Sequence, residues 1–155
     1  MNIKTTLLLA GLSQALSLSV TVFGGSGFTG SRVCKYLVEK GATVSSISKS
    51  GTAPNGEEWT KQVEWKKANL LSSSDDELDA VVGSPDAVIS CVGAIGTDPS
   101  ILLEGNGSAN KAAFASAMRG GKLQRAAYVS VGSEVDACKE NWVRNSFGLE
   151  IRIHC

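Results

Sequence analysis

Val20-Thr21-Val22-Phe23-Gly24-Gly25-Ser26-Gly27-Phe28-Thr29-Gly30 is the stretch that decides how the rest of the chain is read. Residues 20–23 are β-branched or aromatic and stop abruptly in glycine, as an inner parallel strand covered on both faces does. The glycines satisfy G-x-G-x-x-G at Gly25, Gly27 and Gly30, and a looser G-x-x-G-x-x-G from Gly24. Each spacing has a physical reason. Gly24 and Gly25 permit a sharp turn through backbone angles closed to other residues. Gly27 presents bare main chain to an approaching pyrophosphate, and Gly30 lets a helix pack closely on the strand. The freed main-chain amides at the helix N-terminus then face the phosphates, where the helix dipole favours negative charge. A glycine triplet alone is weak evidence. Here it follows a strand pattern and opens residues 28–40, where Val33 with Leu37 and Cys34 with Val38 form a helical stripe ended by Gly41. That context makes the motif specific for a dinucleotide.

Working outward, apolar runs alternate between short and helical periods, as a βαβ protein requires. Strands are predicted at 42–48, 63–70, 87–92 and 126–131. Ser72-Ser73-Ser74-Asp75-Asp76 reads as the entry to a short helix at 77–82, and a longer helix is predicted at 106–119, closed by Gly120-Gly121. The fold class that follows is α/β: a Rossmann-type doubly wound parallel sheet, truncated after about the fifth strand. Residues 19–135 read as one domain. Residues 136–155 read as an atypical tail, in which Leu149, Ile151 and Ile153 alternate as an edge strand or belong to a loose end.

Composition bounds the partners. The 155 residues are enough for one domain, and 15 basic residues balance 15 acidic ones, so no charge excess points to nucleic acid. Lys111, Arg119, Lys122 and Arg125 read as a solvated face, and Trp59 and Trp65 as core anchors. The cysteines Cys34, Cys91, Cys138 and Cys155 are dispersed and His154 is the single histidine, which excludes a zinc set and favours reduced thiols. In residues 1–18, Lys4 precedes Leu7-Leu8-Leu9-Ala10-Gly11-Leu12 and the small residues near Ala15. That pattern reads as a signal or organelle-targeting peptide, too short for a transmembrane segment.

The ends of the later strands supply the remaining candidates, because ligands sit at the carboxyl ends of parallel strands. An NAD site places an acid at the end of the second strand. This chain has Ser48-Lys49-Ser50, which suits a 2′-phosphate, so NADP(H) is favoured and NAD(H) is the alternative. Asn69-Leu70 is expected beside the adenine, and Cys91-Val92-Gly93 beside the nicotinamide-side ribose.

These segments, with AVISCVGAIG, Asn106-Gly107-Ser108-Ala109-Asn110 and AAYVSVGS, resemble the atypical short-chain dehydrogenase/reductases with an NmrA-like NAD(P)-binding domain. Within that group the chain is similar to the branch of the dehydrogenase-like accessory subunit of respiratory complex I. The branch includes a mitochondrial protein of coenzyme Q biosynthesis and chloroplast relatives. The resemblance implies nucleotide binding and a structural or assembly role in a respiratory or quinone-biosynthesis complex. It favours mitochondria; the leader leaves plastid and secretory routes open. It also places Ser130 where catalytic relatives carry a serine that orients a substrate carbonyl. The Tyr-x-x-x-Lys pair that donates a proton in those relatives does not follow Ser130, and the chain is expected to lack it. Three readings result: a nucleotide-binding scaffold; an NADP-dependent oxidoreductase or isomerase acting on a quinone or isoprenoid; and an inactive fragment.

Overall fold

The computed structural model describes residues 17–95 and 98–129. The tail, Ser130, Cys138, Cys155, the sixth-strand expectation and nearly all of the leader lie outside them. Five strands, β1 (Ser19–Phe23), β2 (Thr43–Ser48), β3 (Val63–Lys67), β4 (Ala87–Ser90) and β5 (Arg125–Tyr128), form one sheet in the order β3-β2-β1-β4-β5. Every pairing is parallel. Right-handed crossovers are the rule for such pairs, and they place helices on both faces.

The sequence sorts those faces by parity. Val20, Val22, Val44 and Ala87 point to one side, where they meet Cys34 of helix α1 (Phe28–Glu39) and Trp59 of a 3-10 turn (Glu58–Gln62). Phe23, Ile47 and Val88 point to the other, against Leu78 and Val82 of α2 (Asp75–Val82) and Ala113, Phe114 and Ala117 of α4 (Ala109–Arg119). Before α4 come a single turn, α3 (Pro99–Leu102), and a π-helical stretch, Leu103–Ser108. Trp59 and Trp65 pack edge to face at 6.2 Å, and Trp59 is buried, which fits their reading as anchors. The basic residues behave as a solvated face: Arg119 grips Asp79 through two hydrogen bonds of 2.7 and 2.8 Å, and Lys122 pairs with Asp86 at 2.9 Å.

Several boundaries differ from the sequence reading. β3 ends at Lys67 rather than residue 70, because Asn69 starts a turn: its carbonyl accepts from the Ser72 and Ser73 amides, and its side-chain oxygen from that of Leu71. β4 ends at Ser90 and β5 at Tyr128, each short of expectation. The helix expected at 106–119 begins in the π stretch, so only its later part is regular α-helix.

Candidate dinucleotide site

The sheet's carboxyl edge holds the site. β1 ends at Phe23, and Gly24 turns the chain with φ +78°, while its amide still reaches the Ile47 carbonyl of β2 at 2.8 Å. The Gly27 amide donates back to the Gly24 carbonyl at 3.0 Å, closing the turn. Side chains are excluded around it. A Cβ on Gly25 would stand 2.8 Å from Cys34 Sγ, and one on Gly30 would stand 2.7 Å from Gly25 Cα. Gly27 differs: a Cβ there would meet only the Gly24 carbonyl oxygen, at 3.2 Å, so its bareness serves the outer side of the turn.

Gly27 caps α1 with no side-chain hydrogen bond, and the first turn carries no acidic residue. The Ser31 amide is the first to bond back, to the Gly27 carbonyl at 2.9 Å. The amides of Phe28, Thr29 and Gly30 therefore begin the helix without helical partners, at its positive end. Arg32 lies over the exposed Phe28 ring at 3.6 Å and adds positive charge to the same turn. A diphosphate fits this cradle: among the described residues it offers bare main chain, unpaired donors and no competing carboxylate in the first turn.

Two further loops adjoin it. At the end of β2, Ser48 shares a hydrogen bond with Ser26 of the glycine turn at 2.9 Å and accepts the Gly51 amide at 3.0 Å. Ser26 also donates to the Thr52 carbonyl at 2.6 Å, and Thr52 donates to Ser50 at 3.0 Å. Hydroxyls thus tie the glycine turn to Ser48, Ser50 and Thr52, with Lys49 exposed among them. On the other side, the backbone at Gly24 packs against the Cys91 carbonyl and Val92, the start of the loop after β4. Ser48, Lys49, Ser50, Cys91, Val92 and Gly93 are thus brought to the cradle's two flanks. Asn69 and Leu70 follow β3: the Asn69 side-chain oxygen accepts the Leu71 amide, and Leu70 packs partly buried against the core.

Burial pushes the Cys34 thiol up to about 12 and the Cys91 thiol up to about 11, so both stay protonated at neutral pH. Both are free thiols, as the dispersed spacing implied.

One Tyr-x-x-x-Lys spacing does occur, and the sequence reading passed over it: Tyr36 and Lys40, with the ammonium 5.2 Å from the ring centroid. It is not catalytic machinery. The pair sits in the last turns of α1, roughly 12–18 Å along the helix from the glycine turn. Tyr128, at the end of β5, has its phenol raised by burial, the reverse of what a lysine partner would do. The sequence reading also missed Thr52 and gave no role to Asn106 and Asn110. Their signal was present: hydroxyls clustered after β2, and two asparagines four apart behind a glycine-ended strand.

Residues 20–140 match the model of the NAD dependent epimerase/dehydratase family. The chain belongs to that family. Its Rossmann sheet agrees with solved epimerase/dehydratase-like structures. An epimerase from Methanothermobacter thermautotrophicus superposes with a TM-score of 0.67 at 21% identity, over 87% of this chain and 50% of its own. UDP-glucose 4-epimerase from Brucella ovis in complex with NAD gives 0.65 at 16% identity, over the same shares. At those identities the likeness is one of fold.

Among curated proteins, a chloroplastic protein of Arabidopsis thaliana is 33% identical over 120 residues, covering 70% of this chain and 39% of the relative. MIOREX complex component 2 of Saccharomyces cerevisiae is 42% identical over 55 residues, covering 32% of this chain and 20% of the relative. The chain therefore spans well under half the length of these curated relatives. Among the described residues no helix is long and apolar enough to cross a membrane. Nor could any group of three or more His, Cys, Asp or Glu among them hold a metal ion.

Proposed function

We propose that the chain binds NADP(H) through the glycine turn and serves as a nucleotide-binding scaffold or assembly factor. Its setting would be an organellar complex of respiration or ubiquinone biosynthesis, with mitochondria favoured. The observation that carries the binding half is the uncapped start of α1, where three amides open onto a turn in which Gly25 and Gly30 leave no space for side chains. The 2′-phosphate preference is supported by the end of β2, where Ser48 stands in place of an acid and Lys49 is exposed beside it. A carboxylate there would repel a phosphate, whereas hydroxyls and an ammonium attract one. The assembly role is supported by the resemblance to the complex I accessory branch and by the partial match to a MIOREX complex component. The chloroplastic relative keeps plastids in view.

When bound, a nicotinamide cofactor supplies a hydride donor or acceptor. The chain's own part is to hold its diphosphate on the amides of Phe28, Thr29 and Gly30, and to orient its adenosine end through the loop at Ser48. Membership of an NAD dependent epimerase/dehydratase family supports a second reading, an enzyme of oxidoreductase or isomerase type; NADP is carried into it by the β2 end, and a quinone or isoprenoid substrate by the resemblance to the coenzyme Q branch. Steady, substrate-dependent NADPH oxidation by the purified chain would mark it.

Calorimetric titration tests the binding reading. NADPH is expected to bind at least about tenfold more tightly than NADH, a difference of about 1.4 kcal/mol. Gly27→Val has a permitted backbone (φ −80°, ψ 176°) and adds bulk beside the cradle, so it should abolish binding while its thermal midpoint falls less than that of Gly30→Ala. Undiminished NADPH affinity in folded Gly27→Val protein would overturn the site.

A further inference from the structure

The loop after β4 is held by side chains rather than by a strand partner. Asn106, in the π-helical stretch, pairs with the backbone of Ala94 in both directions: its Oδ1 accepts the Ala94 amide at 3.0 Å, and its Nδ2 donates to the Ala94 carbonyl at 3.0 Å. Four residues on, buried Asn110 accepts the Ser90 hydroxyl and donates to the Val92 carbonyl at 3.1 Å. Its Nδ2 also reaches the Asn106 carbonyl at 3.1 Å, tying the two together. Two glycines make room for this clip. A Cβ on Gly93 would stand 2.9 Å from Asn106 Oδ1, and one on Gly105 would stand 2.5 Å from Ala94 Cβ.

The clip has a reason beyond closing a loop. Cys91 and Val92 stay only partly buried and Gly93 is exposed, and a Cβ added to Gly24 of the phosphate turn would press on Cys91 and Val92. β1 and β4 are the neighbours at which the strand order reverses, so this loop borders the crevice where a dinucleotide's second half would extend. Binding groups held within about 0.5 Å by packed, hydrogen-bonded supports lose affinity when the supports go. A π turn immediately before α4 fits such a place, because π turns concentrate at functional sites.

We propose that Asn106 and Asn110 are positioning residues that lock residues 91–94 as the wall for the nicotinamide–ribose half of the dinucleotide. This rests on the cofactor reading above and adds a division of labour. The glycine turn and the β2 end set affinity for the adenosine half, and the asparagine clip sets it for the other.

The test measures NADPH and 2′,5′-ADP, which carries only the adenosine half, on the full chain and on Asn106→Ala and Asn106→Asp. Asn106→Ala should weaken NADPH about tenfold or more while 2′,5′-ADP shifts less than about twofold. Asn106→Asp keeps the acceptor for the Ala94 amide and loses the donor to its carbonyl, so its NADPH affinity should fall between the two. Equal loss of both ligands, or no loss of NADPH, would refute the clip's role. Amide exchange on the unaltered chain gives an answer even if both variants fail to fold. The Ala94 amide should be slowed further by NADPH but not by 2′,5′-ADP; equal protection by both refutes the proposal. If the unaltered chain binds neither probe, the cofactor reading itself falls and this inference with it. Binding of both leaves that reading standing whichever way the variants behave.

Discussion

At the scale of single residues, the four glycines of the turn carry different burdens, and the space around each separates them. Gly24 needs its left-handed backbone, φ +78°. Gly25 and Gly30 need the missing volume, because their would-be side chains meet Cys34, Ser46 or main chain. Gly27 has an ordinary backbone and the mildest of these contacts, a Cβ 3.2 Å from the Gly24 carbonyl oxygen, so the ligand is its larger constraint. Gly30→Ala therefore belongs with stability, not recognition. The added methyl would press on the Gly24 and Gly25 backbone, which has nowhere to retreat. Strain of this kind costs typically about 1–3 kcal/mol, so a chemical denaturation midpoint should fall clearly for Gly30→Ala and less for Gly27→Ala, whose methyl would meet the Gly24 carbonyl oxygen at 3.2 Å. Equal midpoints for the two variants would mean that the turn is slacker than its contacts imply.

At the scale of elements, α2 shows how much local chemistry alone determines. Ser74 accepts the Glu77 amide at 3.3 Å, and the Glu77 carboxylate accepts the Ser74 amide at 2.9 Å, the reciprocal box expected of serine followed three residues later by glutamate. Ser74→Ala should cost about 1 kcal/mol and lower the melting temperature by about 4 °C. NADPH affinity should be unchanged, because α2 packs on the face opposite α1. A loss of affinity would show that the two faces are coupled. Such elements were legible in the sequence because their signals are local: caps, glycine stops, and β-branched runs ending in glycine. The glycine turn and the Ser48 flank were legible for the same reason. What escaped was a turn closed by one asparagine without a periodic pattern, and a pairing across the chain. Asn69 forms a turn that shortens β3, and Asn106 pairs with Ala94 across twelve residues. Neither a π-helical stretch nor a 3-10 turn has a periodic signature strong enough to compete with the surrounding α and β patterns. The Tyr36–Lys40 spacing shows the opposite hazard, a motif whose place in the fold removes its meaning.

At the scale of the whole molecule, the sheet's two edges are held by different chemistry. The carboxyl edge is built from glycine, hydroxyls and amides that leave donors open. The amino edge is sealed by one carboxylate, Asp86, whose side chain is 13% exposed. It accepts the Ser19 amide at 2.9 Å and the Ser19 hydroxyl at 2.6 Å, and it pairs with Lys122, so β1, β4 and the approach to β5 meet on it. Its backbone joins in, with the Gln124 amide donating to the Asp86 carbonyl at 2.8 Å. The Ser19 donors, with Lys122 behind them, hold the Asp86 carboxyl down at about 2, below the ordinary 3.8. A carboxyl depressed in the folded state stabilises the fold above its unfolded value and loses that contribution as protons bind. The contribution should thus be complete above about pH 5 and disappear progressively as the pH falls through about 4 and 2 towards about 1. Asp86→Asn keeps one acceptor but loses the charge. Its melting temperature should lie below that of the unaltered chain at pH 7, and the gap should close across that acid interval. A gap that persisted unchanged down to pH 2 would show that the seal depends on shape and hydrogen bonding rather than on the ionised carboxylate.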